Sequence, residues 1–270
     1  INMFFALLRQ WIKTPVENYR LFLNFIRQDF TAQFSGSIAG ILWLFITPLA
    51  HILIYSFVFG YIFKLRAIAE FGETEFVLFM MVGYLPWFAF ADALGKSTNL
   101  LLEKAGLITK VMFPVHILPV AGTVVSYLTH IIGFCLLLIY LASQGYFSTA
   151  WLLLPFVYFL QFLFTLGLVA FLSALCVFLR DLQQLVALTI TIWFFLTPII
   201  YPVSLIESES IRSLFILNPM HNFVSLYREI ILLGQLPYLN ILIIFPVSML
   251  SYLAGGWFFI RIKHAFGDVL

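Results

Sequence analysis

Six stretches of the chain stay apolar over about the 20 residues that a helix needs to cross a bilayer. They are 38–62, 76–95, 117–143, 151–178, 183–202 and 239–260. The runs are continuous. A membrane barrel would instead alternate lipid-facing and lumen-facing positions, so helices are predicted. Three other stretches carry different patterns. From Val16 to Phe34, the apolar Tyr19, Phe22, Phe25, Ile26 and Phe30 recur at three- and four-residue steps among charges. That spacing predicts an amphipathic helix lying in the membrane interface. The stretch 96–116, KSTNLLLEKAGLITKVMFPVH, predicts a helix in its first part, broken by Gly106 and Pro114. The segment 203–237 is too long for a tight turn and too polar to span, and its apolar pieces IRSLFIL and FVSLYREIILL are too short to cross. It reads either as short half-buried helices re-entering beside protein or water, or as a surface loop with one amphipathic helix. The expected architecture is an all-α membrane protein with one domain over 1–270. Residues 1–35 form an N-terminal segment with the interface helix, 36–262 a six-span bundle, and 263–270 a tail.

Composition agrees with lipid as the solvent. Apolar types make up 63% of the chain and charged types 10%, against roughly 45–50% and 25% in soluble domains. The net charge of +2 is too small to suggest nucleic acid as a partner. The placement of charge says more than its sum. Arg9, Lys13, Arg20, Arg27, Lys96, Lys104, Lys110, Arg180, Arg261 and Lys263 fall in the N-terminal segment, two alternate loops and the tail. The other loops hold only Lys64, Arg66, Arg212 and Arg228, with Glu70, Glu73, Glu75, Glu207 and Glu209. Ten basic residues against four put the first set, and both termini, in the cytoplasm. Four basic residues before the first long apolar run do not match a cleavable signal peptide.

Some chemistry is missing from the sequence. It has no GxxxxGK[ST] phosphate loop, HExxH, GxSxG or cysteine–histidine cluster. Cys135 and Cys176 lie in apolar runs and are expected to be small buried hydrophobes. The ionisable groups in or near spans are His51, Asp92, His130 and Glu229, and such groups are functional candidates by default. Asp92 and Glu229 lie near span ends where water can reach them. The two histidines have a plainer use as hydrogen-bonding groups between helices.

Two stripes carry more information. Trp43, Thr47, His51 and Tyr55 recur at four-residue steps in the first span, and Thr189, Trp193, Thr197 and Tyr201 in the fifth. Four-residue spacing keeps side chains on one slowly drifting helix face. Each stripe places aromatic rings beside hydroxyl or imidazole groups, which suits sugar rings with apolar faces and hydroxylated rims. A helix-packing seam would use the same residues, since threonine often bonds between membrane helices. Gly36 and Gly40 form a GxxxG that predicts close helix approach. Pro48, Pro86, Pro155, Pro198 and Pro246 are expected to interrupt spans.

Several stretches, in order, resemble one family. They are RQDFTAQFSGSIAGILWLFITPLAHILIYSFVF at 27–59, NLLLEKAGLITKVMFPVHILPV at 99–120, VFLRDLQQL at 177–185, LTPIIYP at 196–202 and NPMHNFVSLYREIIL at 218–232. The chain resembles the permease subunits of ABC transporters that export O-antigen, capsule or teichoic acid. It departs from the family pattern at FTAQFSGS, where a basic residue commonly precedes the aromatic. The resemblance implies a homodimer in the bacterial inner membrane, two separate ATP-binding subunits, and a lipid-linked polysaccharide, most simply O-antigen, as substrate. It implies no cofactor in this chain, with ATP and magnesium in the partner ATPase, and no catalytic or metal-binding residue. It makes 99–114 a coupling segment, with Glu103, Lys104, Leu107, Ile108 and Lys110 at the ATPase contact. The first and fifth spans would line the channel, Tyr84, Trp87 and Phe88 would add to an aromatic ring near its outer mouth, and 203–235 would be a re-entrant outer gate. The rivals are an ABC permease for a drug or small lipid, a membrane enzyme acting on lipid-linked sugars, and a passive channel.

Overall fold

The computed structural model describes residues 11, 13, 15–63, 75–111 and 113–270. The expected loop charges Arg9, Lys64, Arg66, Glu70 and Glu73 therefore lie outside the described residues. Among the described residues every regular element is helical. α1 (Tyr19–Ala32) is the amphipathic helix foreseen from spacing. α2 (Gly40–Ile62) opens as a 3-10 turn and closes in π-helical turns. α3 (Phe76–Ser97), α4 (Ala105–Lys110), α5 (Ile117–Ser143) and α6 (Thr149–Cys176) follow. Then come α7 (Leu182–Leu196), α8 (Glu209–Phe215), α9 (Pro219–Leu232) and α10 (Tyr238–Ile262). Five of them, α2, α3, α5, α6 and α10, are long and apolar enough to cross a membrane.

The fifth run departs from expectation. Its hydrophobicity predicts a helix over 183–202, but α7 stops at Leu196. Thr197 is extended, at φ −104° and ψ 125°, because it precedes Pro198 and proline disfavours helical backbone in the residue before it. Fifteen residues make a helix about 22 Å long, so the non-helical stretch 197–202 continues the run. Proline elsewhere acts differently. Pro48, Pro86 and Pro246 sit inside helices. Pro155 occupies the first turn after Leu154, where its missing N–H costs nothing, and so does not interrupt the span.

The core sits around α3 and α9. Phe79, Met80, Met81, Val82 and Phe90 of α3 and Phe223, Tyr227 and Ile230 of α9 have essentially no exposed surface. The 203–237 segment is therefore no simple surface loop: α9 is packed inside the bundle, while α8 and the turns flanking it are exposed. A second apolar cluster joins Phe25 of α1 to Leu101, Ile117, Leu118, Phe259 and Phe266, tying the N-terminal helix to the start of α5 and the end of α10.

The 96–116 stretch is reversed relative to expectation. Residues 98–104 form successive turns, and the helix comes afterwards as α4, with Gly106 inside it. Gly36 and Gly40 are not a helix contact. Their φ values are +77° and +50°, and a Cβ on either would meet nothing within 4 Å. They turn the chain from α1 into α2 in a conformation that glycine adopts freely. The close helix approach lies between α6 and α10. A Cβ on Gly255 would collide with the Gly167 carbonyl oxygen, and one on Gly167 with the Ser251 backbone. Cys176 is buried as expected, but Cys135 of α5 is exposed.

Candidate functional site

The first stripe holds together. Trp43, Thr47, His51 and Tyr55 all lie on α2 and face α3 and α5. The His51 ring stacks with Tyr55 at 6.1 Å between centroids and lies 5.7 Å from Tyr84 and 5.5 Å from Phe88. Tyr55 donates its hydroxyl proton to the Tyr84 hydroxyl oxygen at 3.0 Å. Trp43 donates its indole N–H to Ser37 Oγ at 2.9 Å. Trp43, Thr47 and His51 border a cleft of about 130 Å³ with Tyr84, Phe88 and Thr129. The spacing in one run and the YLPWF stretch in another thus meet in one aromatic-walled cleft.

The second stripe divides. Thr189 and Trp193 lie on α7 and border a larger cavity of about 600 Å³, closed on its other side by Leu214, Phe215 and Asn218. Thr197 is fully buried and donates its hydroxyl to the Trp193 carbonyl at 2.8 Å. Tyr201 lies beyond the helix end and donates to the Phe195 carbonyl at 2.7 Å. The four-residue period fails because the helix stops. Trp87 is also interior, 2% exposed, with its ring against Phe90, Trp193 and Phe194. Within one chain Trp87 and Thr197 are therefore wall rather than lining. Tyr84 connects the two faces, touching Tyr55 of α2 at 5.1 Å and Phe194 of α7 at 6.3 Å.

At the end of the bundle that carries α1, the five coupling candidates sort by direction. Glu103 and Lys110 are exposed, while Leu107 and Ile108 pack inward against the second cluster. Lys104 turns away from solution. Its ammonium group pairs with Asp29 of α1 at 2.6 Å and lies 5.3 Å from the Phe25 ring.

Sequence reasoning missed the residues that finish α7. Arg228, counted as a loop cation, is 3% exposed. Its guanidinium donates to the carbonyls of Pro198 at 2.7 Å, Ile199 at 2.8 Å and Phe79 at 3.1 Å. Asn218 caps α9 by accepting from the Met220 N–H, and also accepts from the Trp193 indole at 2.8 Å. Its amide donates to the Leu196 carbonyl and to Thr197 Oγ1, each at 3.1 Å. A helix end leaves carbonyls without intrahelical partners, and in a membrane these need partners from the protein. Asn218 reaches the Leu196 carbonyl, Tyr201 that of Phe195 and Thr197 that of Trp193, while Arg228 serves the non-helical carbonyls of Pro198 and Ile199 just beyond. A second buried network, also missed, runs from Tyr227 to Gln161 Oε1 at 2.8 Å and from Gln161 Nε2 to the Pro86 carbonyl at 2.8 Å.

The sequence profile of the family described as "ABC-2 type transporter" matches residues 20–232. The chain belongs to the ABC-2 type transporter family. The match runs from α1 to the last residue of α9, so the buried α9 and its Arg228 lie within the ABC-2 region. Among curated ABC-2 relatives, the O-antigen export system permease protein RfbA of Myxococcus xanthus is 34% identical over 220 residues, covering 80% of this chain and 82% of the relative. The protein of the same name from Klebsiella pneumoniae is 26% identical over 254 residues, covering 93% and 95%. The polysialic acid transport protein KpsM of Escherichia coli is 24% identical over 219 residues, covering 80% and 81%.

Proposed function

We propose that this chain is the permease subunit of an ATP-driven exporter that moves lipid-linked polysaccharide, of O-antigen type, from the cytoplasm across the inner membrane. The observation that carries the reading is the aromatic cleft in which His51 and Tyr55 of α2 meet Tyr84 and Phe88 of α3, with Thr47 and Thr129 at its edge. Ring faces stack on the apolar faces of sugars, and neighbouring hydroxyls exchange hydrogen bonds with their rims. The names of relatives that align with most of the chain support the same substrate class.

Two copies of the single 1–270 permease domain form the pore, and two ATP-binding subunits drive it, holding ATP and magnesium themselves. The basic residues place both termini in the cytoplasm. The ATPase engages the exposed Glu103 and Lys110. Leu107 and Ile108 carry the push into the second cluster, and the Lys104–Asp29 pair passes it to α1. The polymer then advances along the rings of α2, α3 and α7. Contacts along such a path stay weak and repeated, because a chain held tightly at one site would not move on.

Deleting the gene and fractionating the cells tests this. Full-length lipid-linked polymer should accumulate on the cytoplasmic side of the inner membrane. Normal arrival of polymer at the surface would overturn the substrate assignment.

A further inference from the structure

α4 is too short to stand by itself. It has six residues, Ala105–Lys110, and isolated helices below about 12 residues are marginal even with favourable sequences. Its position is therefore set by what its inward residues, Leu107 and Ile108, pack against. They rest on the second apolar cluster. α1 closes one side of that cluster, through Phe25 and the Lys104–Asp29 pair. The segment that follows α10 closes another. After Ile262 the chain makes a 3-10 turn over Lys263–Ala265 and continues as one helical turn, α11 (Phe266–Val269). α11 packs directly on α4.

Phe266 accounts for that placement. His264, Gly267, Asp268 and Val269 are exposed, yet Phe266 has no exposed surface. Its ring meets Phe259 of α10 edge to face at 5.5 Å and lies 6.1 Å from Phe178, just past the end of α6. A buried phenyl ring is a large apolar gain for one residue. Here it folds the tail back onto the ends of α6 and α10, with α4 on the same cluster.

The two attachments of α4 lead to different parts of the bundle. α1 packs on α5. The tail leads to α10, which is bound to α6 along the seam where Gly167 meets Ser251 and Gly255. Ser251 also donates to the Phe164 carbonyl at 2.8 Å. Packing this close leaves no slack between the helices, so they move as one body. α6 in turn holds α9, through the Tyr227–Gln161 hydrogen bond and the Phe164 and Phe223 rings, 5.9 Å apart. α9 reaches the end of α7 through Arg228.

We propose that Phe266 is a positioning residue for coupling. It locks α4 to the α6–α10 pair, so that movement of the ATPase reaches that pair, and through it α9, by way of the tail and not through α1 alone. This rests on the permease reading above and gives it a second route for force.

Phe266→Ala and Phe266→Leu test it, with Leu250→Ala, at an exposed position of α10, as control. Each is expressed with its ATPase partner in cells lacking the native gene, and surface polymer is measured per unit of membrane permease. The complexes are then purified for ATPase recovered per permease and ATP hydrolysed per complex. Phe266→Ala should keep its ATPase and hydrolyse ATP at or above the wild-type rate, while surface polymer falls roughly ten-fold. Phe266→Leu, which refills most of the space, should export more than Phe266→Ala, and Leu250→Ala should match wild type. Unchanged export by Phe266→Ala overturns the proposal. So does a fall of bound ATPase or of hydrolysis in proportion to export, which would make Phe266 a docking or folding residue only. Should Phe266→Ala be lost from the membrane, hydrogen exchange of the wild-type complex decides. On adding a non-hydrolysable ATP analogue, residues 105–111 and 263–270 should change protection together, and no change at 263–270 overturns the tail's part. All of these outcomes leave the permease reading standing. Failure of the wild-type chain to restore surface polymer overturns that reading itself, and the role of Phe266 with it.

Discussion

Arg228 of α9 donates to the carbonyl oxygen of Pro198 at 2.7 Å, joining the buried helix to the broken end of α7. The same guanidinium lies over the Phe79 ring, 3.4 Å from its centroid. Removing it leaves the carbonyls of Phe79, Pro198 and Ile199 without this donor, and each buried orphan costs roughly 1–3 kcal/mol. Arg228→Met should destabilise the protein by about 3 kcal/mol or more and sharply reduce its amount in the membrane. Arg228→Lys should recover only part of the loss, since an ammonium group lacks the planar fork that reaches three acceptors at once. Thermal unfolding of the detergent-purified variants reads both effects.

The α6–α10 seam makes a second prediction. Gly255→Ala drives a methyl group into the Gly167 carbonyl oxygen, so the helices must separate and the permease should fail to accumulate. Gly36→Ala meets open space and pays only for its left-handed backbone, about 1 kcal/mol. Immunoblots of membranes carrying each variant should show little of the first and near-normal amounts of the second. The reverse order would place the critical glycine contact at the start of α2.

In the aromatic cleft, His51→Ala removes a ring that stacks on Tyr55 and faces Phe88. Export should fall several-fold while permease abundance stays near normal, because the cleft is open on one side and the ring is not central to the core. Tyr55→Phe removes one hydroxyl bond to Tyr84, worth about 1 kcal/mol, and should affect export less than His51→Ala. Surface polymer per unit of membrane permease is the measurement. Equal loss from both variants would make the Tyr55–Tyr84 bond, rather than the ring faces, the working feature.

The long apolar runs were legible because hydrophobicity over 20 residues leaves the chain little choice. The third run, read as 117–143, is the helix Ile117–Ser143. The first stripe was legible because its helix continues through all four positions, and the second was not because Pro198 ends α7 beneath it. Arg228 was hidden for a different reason. It stands in an amphipathic stretch that reads as surface, and its partners Pro198 and Phe79 are 30 and 149 residues away in sequence. GxxxG misled at 36–40 because the motif has meaning only inside a helix. Ser251 and Gly255, which do meet Gly167 across the seam, carry the four-residue spacing that points to them.

The fixing of α7 at one end also bears on how it moves. Arg228 and Asn218 grip residues 196–199, while along most of its length α7 exposes Leu185, Leu188, Ile192 and Phe195. A rod gripped at one end and packed along one face only is a lever with its fulcrum at the grip. Over about 22 Å of helix, a tilt of about 10° carries Leu182 through about 4 Å and leaves Thr197 nearly still. Displacement applied near Leu182 would therefore widen the cavity bordered by Leu182, Leu185 and Leu94, while the residues at the grip keep their places.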